Sequence, residues 1–242
     1  MVIEQQTNAA RFINAYNVID NILRTQYSFK NNITFSDLIR RASSLNTVIR
    51  IYEDDLIEFA RLRNAIVHNK SDQLIADPHV EVVELMEKVA RLVSTPPLAI
   101  EAMPSRTVSI IDSGTTIRDL MITTGKVGFS NIPIYKGENL IGVMRWRKLV
   151  EVLAEYVIAQ GASIDDFVNN TTLENFLLRF PCNMHFTLTS NKITIEEVLT
   201  LFNQNRKLAC IIITPDGSAT KRPQGIITGT DLMDLMKVLE DY

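Results

Sequence analysis

The chain has 242 residues, 46% of them hydrophobic and 22% charged, which is enough to bury a sizeable core and far from the composition of a disordered segment. Twenty-five basic against 28 acidic residues leave a formal charge of −3, which excludes a global field drawing the chain onto nucleic acid or an anionic membrane. Only Cys182 and Cys210 are present, too few for a disulfide framework or a cysteine-based zinc cluster.

From Ala9 to about Ser94 the apolar spacing is helical and strand signals are nearly absent, so this half reads as an all-α bundle. Phe12, Ala15, Val18, Ile19, Ile22 and Leu23 fall on one stripe of a first helix. A second helix starts near Thr34 to Ser36, either of which can cap it. A third is expected from about Asn46 through Ile66. A fourth opens at Asp77-Pro78, with Asp as cap and Pro in the first turn, and shows Val82, Leu85, Met86, Val89 and Val93 on its apolar face. Pro96-Pro97 cannot continue that helix, and the domain boundary is placed there, giving domains of 1–96 and 97–242.

After the boundary, short β-type runs at Thr107-Val-Ser-Ile-Ile, Asn131-Ile-Pro-Ile-Tyr and Leu140-Ile-Gly-Val-Met alternate with helical stretches, so the chain as a whole is α+β. This part also repeats itself. Thr116-Ile117 lies on Thr194-Ile195 at an offset of 78, and the segment from Gly142 lies on the segment from Gly225 at an offset of 83. The difference is taken up by a longer loop in the second copy, around Pro215-Asp-Gly-Ser-Ala-Thr-Lys-Arg-Pro. Each copy reads strand, helix, strand, turn, strand, helix.

That order resembles the CBS domain, which occurs as tandem pairs with two clefts that bind adenosine-containing ligands. The first repeat spans about 103–160 and the second about 180–242. The segment that carries most of the resemblance is Gly225-Ile226-Ile227-Thr228-Gly229-Thr230-Asp231, which fits the family pattern of glycine, an apolar pair, Ser or Thr, two residues and Asp. The resemblance implies that Asp231 takes ribose hydroxyls with Thr228 beside it, that Gly225 and Ile227 shape the approach, and that the backbone of Cys210, Ile211 and Ile212 meets the base. Local helix-capping chemistry accounts for a Thr and an Asp at the same place and stays open as an alternative. The first repeat has Arg145 where the second has Thr228, and Lys148 where it has Asp231. Arg145, Arg147 and Lys148 are therefore candidates for ligand phosphates, as are Arg206, Lys207, Lys221 and Arg222.

In the helical half, Leu62-Arg63-Asn64-Ala65-Ile66-Val67-His68-Asn69 resembles the arginine-to-histidine signature of HEPN domains, helical bundles that include metal-independent ribonucleases and non-catalytic dimer modules. On a helix Asn64 and His68 share a face, and Arg63 stands about 140 degrees from His68, within reach of its long side chain. Histidine exchanges a proton near neutral pH and arginine holds phosphate, so Arg63, Asn64 and His68 are the candidate catalytic residues, acting on RNA through the adjacent 2′-hydroxyl. The resemblance implies a homodimer. Some catalytic relatives have a tyrosine where Lys70 stands here.

His79 and His185 have no metal-ligand partners at diagnostic spacing, and no metal is expected. A P-loop, a dinucleotide fingerprint and a serine-nucleophile elbow are all missing from the sequence. No apolar run reaches the roughly 18 residues of a membrane-spanning helix, and Met1-Val-Ile-Glu-Gln-Gln lacks the character of a signal peptide, so a cytoplasmic location is expected. The regulatory ligand implied by the CBS resemblance is an adenine nucleotide, AMP, ADP or ATP, with a cyclic dinucleotide or S-adenosylmethionine as alternatives. The expected function is a regulatory sensor whose CBS pair modulates the dimeric helical domain, the alternative being a nucleotide-regulated ribonuclease or toxin.

Overall fold

The structure is a computed structural model that describes residues 6–67, 77–103, 108–124, 130–159, 163–181 and 185–242. Two compact units account for it. One comprises the chain up to Pro97 together with Thr194–Leu201 and Met236–Tyr242. The other comprises Leu98–Ile193 and Phe202–Leu235.

The first unit is built from α1 (Asn8–Gln26), α2 (Phe35–Ala42), α3 (Thr47–Ile51), α4 (Glu53–Val67) and α5 (Val80–Ser94). Thr7 caps α1 through its hydroxyl, and Thr34 caps α2 in the same way. Phe12, Ala15, Ile19 and Leu23 turn one side of α1 into the core against Val83, Met86 and Val89 of α5, while Val18 of the expected stripe stays exposed. Arg11 of α1 clamps Glu87 of α5 with two hydrogen bonds of 2.9 and 2.7 Å. The guanidinium holds the Glu87 carboxyl below the usual carboxylate range.

Two helix expectations are corrected. The single helix expected from Asn46 through Ile66 is two helices broken at Tyr52, whose φ and ψ of −103° and 17° leave the helical region. The break follows from two competing starts. Asn46 Oδ1 accepts the Ile49 amide to open α3, and Glu53, Asp54 and Asp55 supply the acids that favour a fresh N-terminus for α4. The helix expected at Asp77-Pro78 begins at Val80 instead. His79 occupies the cap position without a side-chain hydrogen bond, and the Pro78 carbonyl is held outside the helix by the Asn8 side-chain amide at 3.1 Å.

The second unit contains two three-stranded sheets of the same design. In the first, β1 (Ile111–Asp112) runs parallel to β2 (Asn131–Lys136), which pairs antiparallel with β3 (Asn139–Arg145). In the second, β4 (Phe186–Ser190) runs parallel to β5 (Cys210–Thr214), which pairs antiparallel with β6 (Gly225–Thr228). The first strand is shorter than the run that begins at Thr107, a residue outside those described. The helices α6 (Ala99–Ala102), α7 (Ile117–Thr124), α8 (Trp146–Ile158), α9 (Ile164–Asn170), α10 (Leu173–Arg179), α11 (Ile195–Gln204) and α12 (Leu232–Asp241) complete the chain. Val143 of the first sheet packs with Cys210 and Ile212 of the second. The long second-copy loop returns to the first sheet, where the Leu140 amide donates to the Ala219 carbonyl and the Tyr135 hydroxyl to the Lys221 carbonyl.

The repeat extends to backbone detail. The Ile117 amide donates to the Thr171 carbonyl and the Leu173 amide to the Thr115 carbonyl; in the other copy the Ile195 amide donates to the Pro97 carbonyl and the Ala99 amide to the Ile193 carbonyl. Ile117 and Ile195 are the residues that the sequence repeat superimposes. The glycines opening the two repeated segments are equivalent in the same way. A Cβ at Gly142 would lie 2.9 Å from Leu177 of α10, and one at Gly225 would lie 3.0 Å from Ile100 of α6. The segment before each repeat thus seals the sheet of the other. Gly225 makes room for this packing.

Candidate functional site

Arg145 and Thr228 hold the same position, the last residue of the third strand in their repeats. Arg145 pairs across the sheet with Asn131, and Thr228 with Cys210. The turns that lead from them into α8 and α12 differ in charge.

In the second repeat the strand-to-helix turn is closed on itself. Asp231 Oδ2 accepts from the Thr228 amide at 2.7 Å and from the Thr228 hydroxyl at 2.8 Å, and the Thr228 and Thr230 hydroxyls are 2.7 Å apart. The Asp231 amide returns a bond to the Thr228 carbonyl, and the Leu235 amide bonds the Asp231 carbonyl as the first turn of α12. This is helix-start chemistry in which the carboxylate sits near the positive end of the helix. Thr228 and Asp231 are both half-buried. Gly225 and Ile227 lie in the interior, and Cys210, Ile211 and Ile212 are fully buried in a central strand paired on both sides. Burial pushes the Cys210 thiol up to about 12, against the opposing charge of Arg145, so it stays protonated at neutral pH.

In the first repeat no side chain closes the corresponding turn, and the Trp146 amide donates to the Ser130 carbonyl. Arg145 stands at the cap of α8 and makes no capping hydrogen bond, and the first turn of the helix contains no acid. A cavity of about 520 Å³ opens here, lined by Arg145, Arg147, Lys148 and Glu151 from the first repeat and by Pro181, His185, Arg206, Lys207 and Leu208 from the second. Five cations therefore face one carboxylate. Glu151 bridges two of them, at 3.2 Å from Arg147 Nε and 3.7 Å from Lys148 Nζ. Lys148 also lies 5.7 Å from the centre of the Phe180 ring. His185 is steered by Nδ1, which is 3.1 Å from the Lys207 carbonyl.

The cavity brings together Arg145, Arg147 and Lys148 with Arg206 and Lys207, all five of them visible in the sequence as candidate phosphate partners. Lys221 and Arg222 do not line it. Sequence reasoning missed Glu151 and His185 as members of the site. Glu151 was visible as an acid one helical turn from Arg147 and Lys148; His185 carried no local signal, because only the fold brings it across from the other repeat.

The helical motif is described in part. Arg63 and Asn64 lie in the last turns of α4; His68 and Lys70 lie outside the described residues, as does Cys182. The Arg63 guanidinium sits over the Tyr16 ring, 5.5 Å from its centre, and Tyr16 stacks on Phe35 with ring centres 4.0 Å apart. Arg63 Nε is buried and makes no hydrogen bond among the described residues. Asn64 is exposed. No group of His, Cys, Asp and Glu able to hold a metal occurs among the described residues, and none of their helices is long and apolar enough to cross a membrane.

No family profile matches the chain, and no curated protein matches its sequence. The solved structures to which the chain is similar include CBS-domain proteins. The CBS domain of a bacterial CNNM/CorC family Mg2+ transporter, solved in complex with ATP, shares 18% identity over 65% of this chain and 95% of its own, with a TM-score of 0.44. Protein MJ1225 from Methanocaldococcus jannaschii, proposed as an archaeal homologue of g-AMPK, shares 16% identity over 70% of this chain and 56% of its own, with a TM-score of 0.47. A CBS domain protein from Streptococcus pneumoniae TIGR4 shares 15% over 58% and 82%, with a TM-score of 0.41.

Proposed function

We propose that this protein is a cytoplasmic regulatory sensor in which residues 97–242 act as a CBS pair that binds an adenine nucleotide and modulates the helical domain of residues 1–96. The observation that carries this reading is the cavity where Arg145 and Lys148 of one repeat meet Arg206 and Lys207 of the other. Guanidinium and ammonium groups converging on a concave site are what a phosphorylated ligand requires. Thr228 and Asp231 offer a second place for ribose hydroxyls, provided that a ligand exchanges the bonds they now make with each other. The helical domain is assigned a HEPN-like dimerisation or docking role, with the homodimer as the working assembly. The route for coupling is the chain itself, since Thr194–Leu201 of the second repeat belongs to the helical unit.

Small molecules released from the freshly purified full chain and identified by mass spectrometry test this reading. A co-purified adenine nucleotide, or a melting-temperature shift with AMP, ADP or ATP at millimolar concentration, is the expected result. No bound nucleotide and no shift with any of them overturns it.

The second reading, a nucleotide-regulated ribonuclease, is favoured by one observation: Asn64 is exposed on the last turns of α4, beside Arg63 and leading into His68. RNA cleavage that depends on His68 and changes with nucleotide is the expected behaviour. Cleavage unchanged by His68→Ala removes this reading.

A further inference from the structure

Resting on the reading of the CBS pair as a nucleotide sensor, we infer that the first-repeat cavity selects its ligand by the phosphate chain rather than the nucleoside, with Glu151 as an internal carboxylate that the chain displaces. Three observations lead there. The first is charge: Arg145, Arg147, Lys148, Arg206 and Lys207 line the cavity and Glu151 is the one acid among its lining residues. A single phosphate leaves most of that charge uncompensated, whereas a triphosphate matches it.

The second is the helix start. No side chain caps α8 and no acid stands in its first turn; beyond the Trp146 amide, which bonds the Ser130 carbonyl, the positive end of this 13-residue helix adds to the same region. The equivalent turn of the second repeat contains Asp231, bonded to Thr228. Lys148, at the corresponding position in the first repeat, has no acceptor with which to take ribose hydroxyls. The nucleoside therefore has little to hold it here, and the phosphates have much.

The third is Glu151. Its carboxylate reaches Arg147 and Lys148, the two cations on its own helix, and none of the other three. An arriving phosphate chain competes with it for those two cations. Glu151 therefore sets the affinity threshold: the ligand must gain more from the five cations than Arg147 and Lys148 lose when they leave the carboxylate. An exposed pair of this kind contributes up to about 1 kcal/mol, so its removal changes affinity by up to about fivefold.

Isothermal titration of the full chain with sodium tripolyphosphate, ATP, AMP and adenosine, at low and at moderate salt, is the test. Tripolyphosphate and ATP are expected to bind within about tenfold of each other, AMP at least about tenfold more weakly, and adenosine not measurably; the two tight ligands weaken steeply with salt. Glu151→Gln is expected to tighten tripolyphosphate by about two- to fivefold. Arg145→Ala combined with Lys207→Ala weakens it by about tenfold or more, and Lys221→Ala with Arg222→Ala leaves it unchanged.

Adenosine and AMP binding as tightly as ATP, with no binding of tripolyphosphate, overturns the inference and leaves the nucleotide sensor standing. Failure of all four ligands overturns both. Tripolyphosphate binding that survives the Arg145 and Lys207 changes, or is lost with Lys221 and Arg222, places the anion elsewhere and also overturns the inference. Glu151→Gln with unchanged or weaker binding removes the competing role of the carboxylate.

Discussion

Glu196 Oε1 accepts a 2.9 Å hydrogen bond from the backbone amide of Thr47, joining residues 149 positions apart in the sequence. The same oxygen accepts from the Thr200 hydroxyl at 2.8 Å, and Thr200 lies 2.9 Å from the Thr47 hydroxyl. The carboxylate is buried, and it satisfies the first amide of α3, which would otherwise lack a partner. Through this contact α11, a helix of the second repeat, supplies a cap within the helical unit.

Removing that acceptor has a cost that replacing it does not. Glu196→Ala leaves a buried amide unsatisfied and is expected to destabilise the protein by about 1 to 3 kcal/mol. Glu196→Gln keeps an oxygen for Thr47 and removes a buried charge. Burial raises the Glu196 pKa, with Glu197 adding to it and the bonds from Thr47 and Thr200 opposing it. A raised folded-state pKa means that the contribution from protonation is present below the ordinary glutamate range and is lost as pH rises through the folded value. Glu196→Gln is therefore expected to match or exceed the native melting temperature at pH 7 and to lose this part of the pH dependence. A native pH profile in the Gln variant would refute the assignment.

The paired seals at Gly142 and Gly225 predict equivalent behaviour in the two repeats. Alanine at Gly142 pushes its Cβ against Leu177, and alanine at Gly225 against Ile100. Each new Cβ meets the far end of a flexible side chain that can shift, so each is expected to cost about 1 kcal/mol, the low end of the overpacking range. Leu177→Ala restores room for Gly142→Ala but not for Gly225→Ala, whereas Ile100→Ala does the reverse. Chemical denaturation of the four single and four double variants gives the coupling energies. Rescue that ignores this pairing would show that the segments do not seal the sheets in this crossed manner.

Much of the fold was legible in the sequence because the information was local or repeated. The pairing of Arg145 with Thr228 and of Lys148 with Asp231 follows from aligning two copies, and the third strands end where that alignment places them. The caps at Thr7 and Thr34 act over a few residues; Thr34 was one of two candidates with Ser36, and Thr7 was not picked out. The break at Tyr52 was not legible, because Asn46 through Ile66 has an uninterrupted apolar period and the competing starts at Asn46 and Glu53 act against it. Glu196 carried no signal of its role in the sequence, since its partner Thr47 is brought to it only by tertiary packing. The cavity lies between these cases: its cations were visible, but the fold alone decides that Lys207 belongs with them and Lys221 does not.

Cys210 is expected to be chemically silent in the folded protein. Its thiol is fully buried in the central strand of the second sheet and is pushed up to about 12, so at pH 8 the thiolate fraction is on the order of one in ten thousand. In a Cys182→Ser background, iodoacetamide should leave the native chain unmodified over hours and label Cys210 rapidly in denaturant. Labelling of the native chain at the rate of a free thiol would contradict the burial of this strand.

Arg63 and Asn64 are expected to separate structure from chemistry in the helical domain. The Arg63 guanidinium covers the Tyr16 ring in a stack with Phe35, and its Nε is buried. Arg63→Ala should therefore lower stability by about 1 kcal/mol through lost packing and cation–π attraction, whatever the domain does. Asn64 is exposed, and Asn64→Ala should leave stability within the roughly ±0.5 kcal/mol typical of surface changes, with a melting temperature close to that of the native chain. If the domain cleaves RNA, loss of activity in Asn64→Ala at unchanged stability reports on chemistry, whereas loss in Arg63→Ala alone is accounted for by a weakened bundle. Thermal melts run beside the cleavage assay distinguish the two. An Arg63→Ala variant as stable as the native protein would show that the stack on Tyr16 contributes nothing to the fold and would leave Arg63 free to bind substrate.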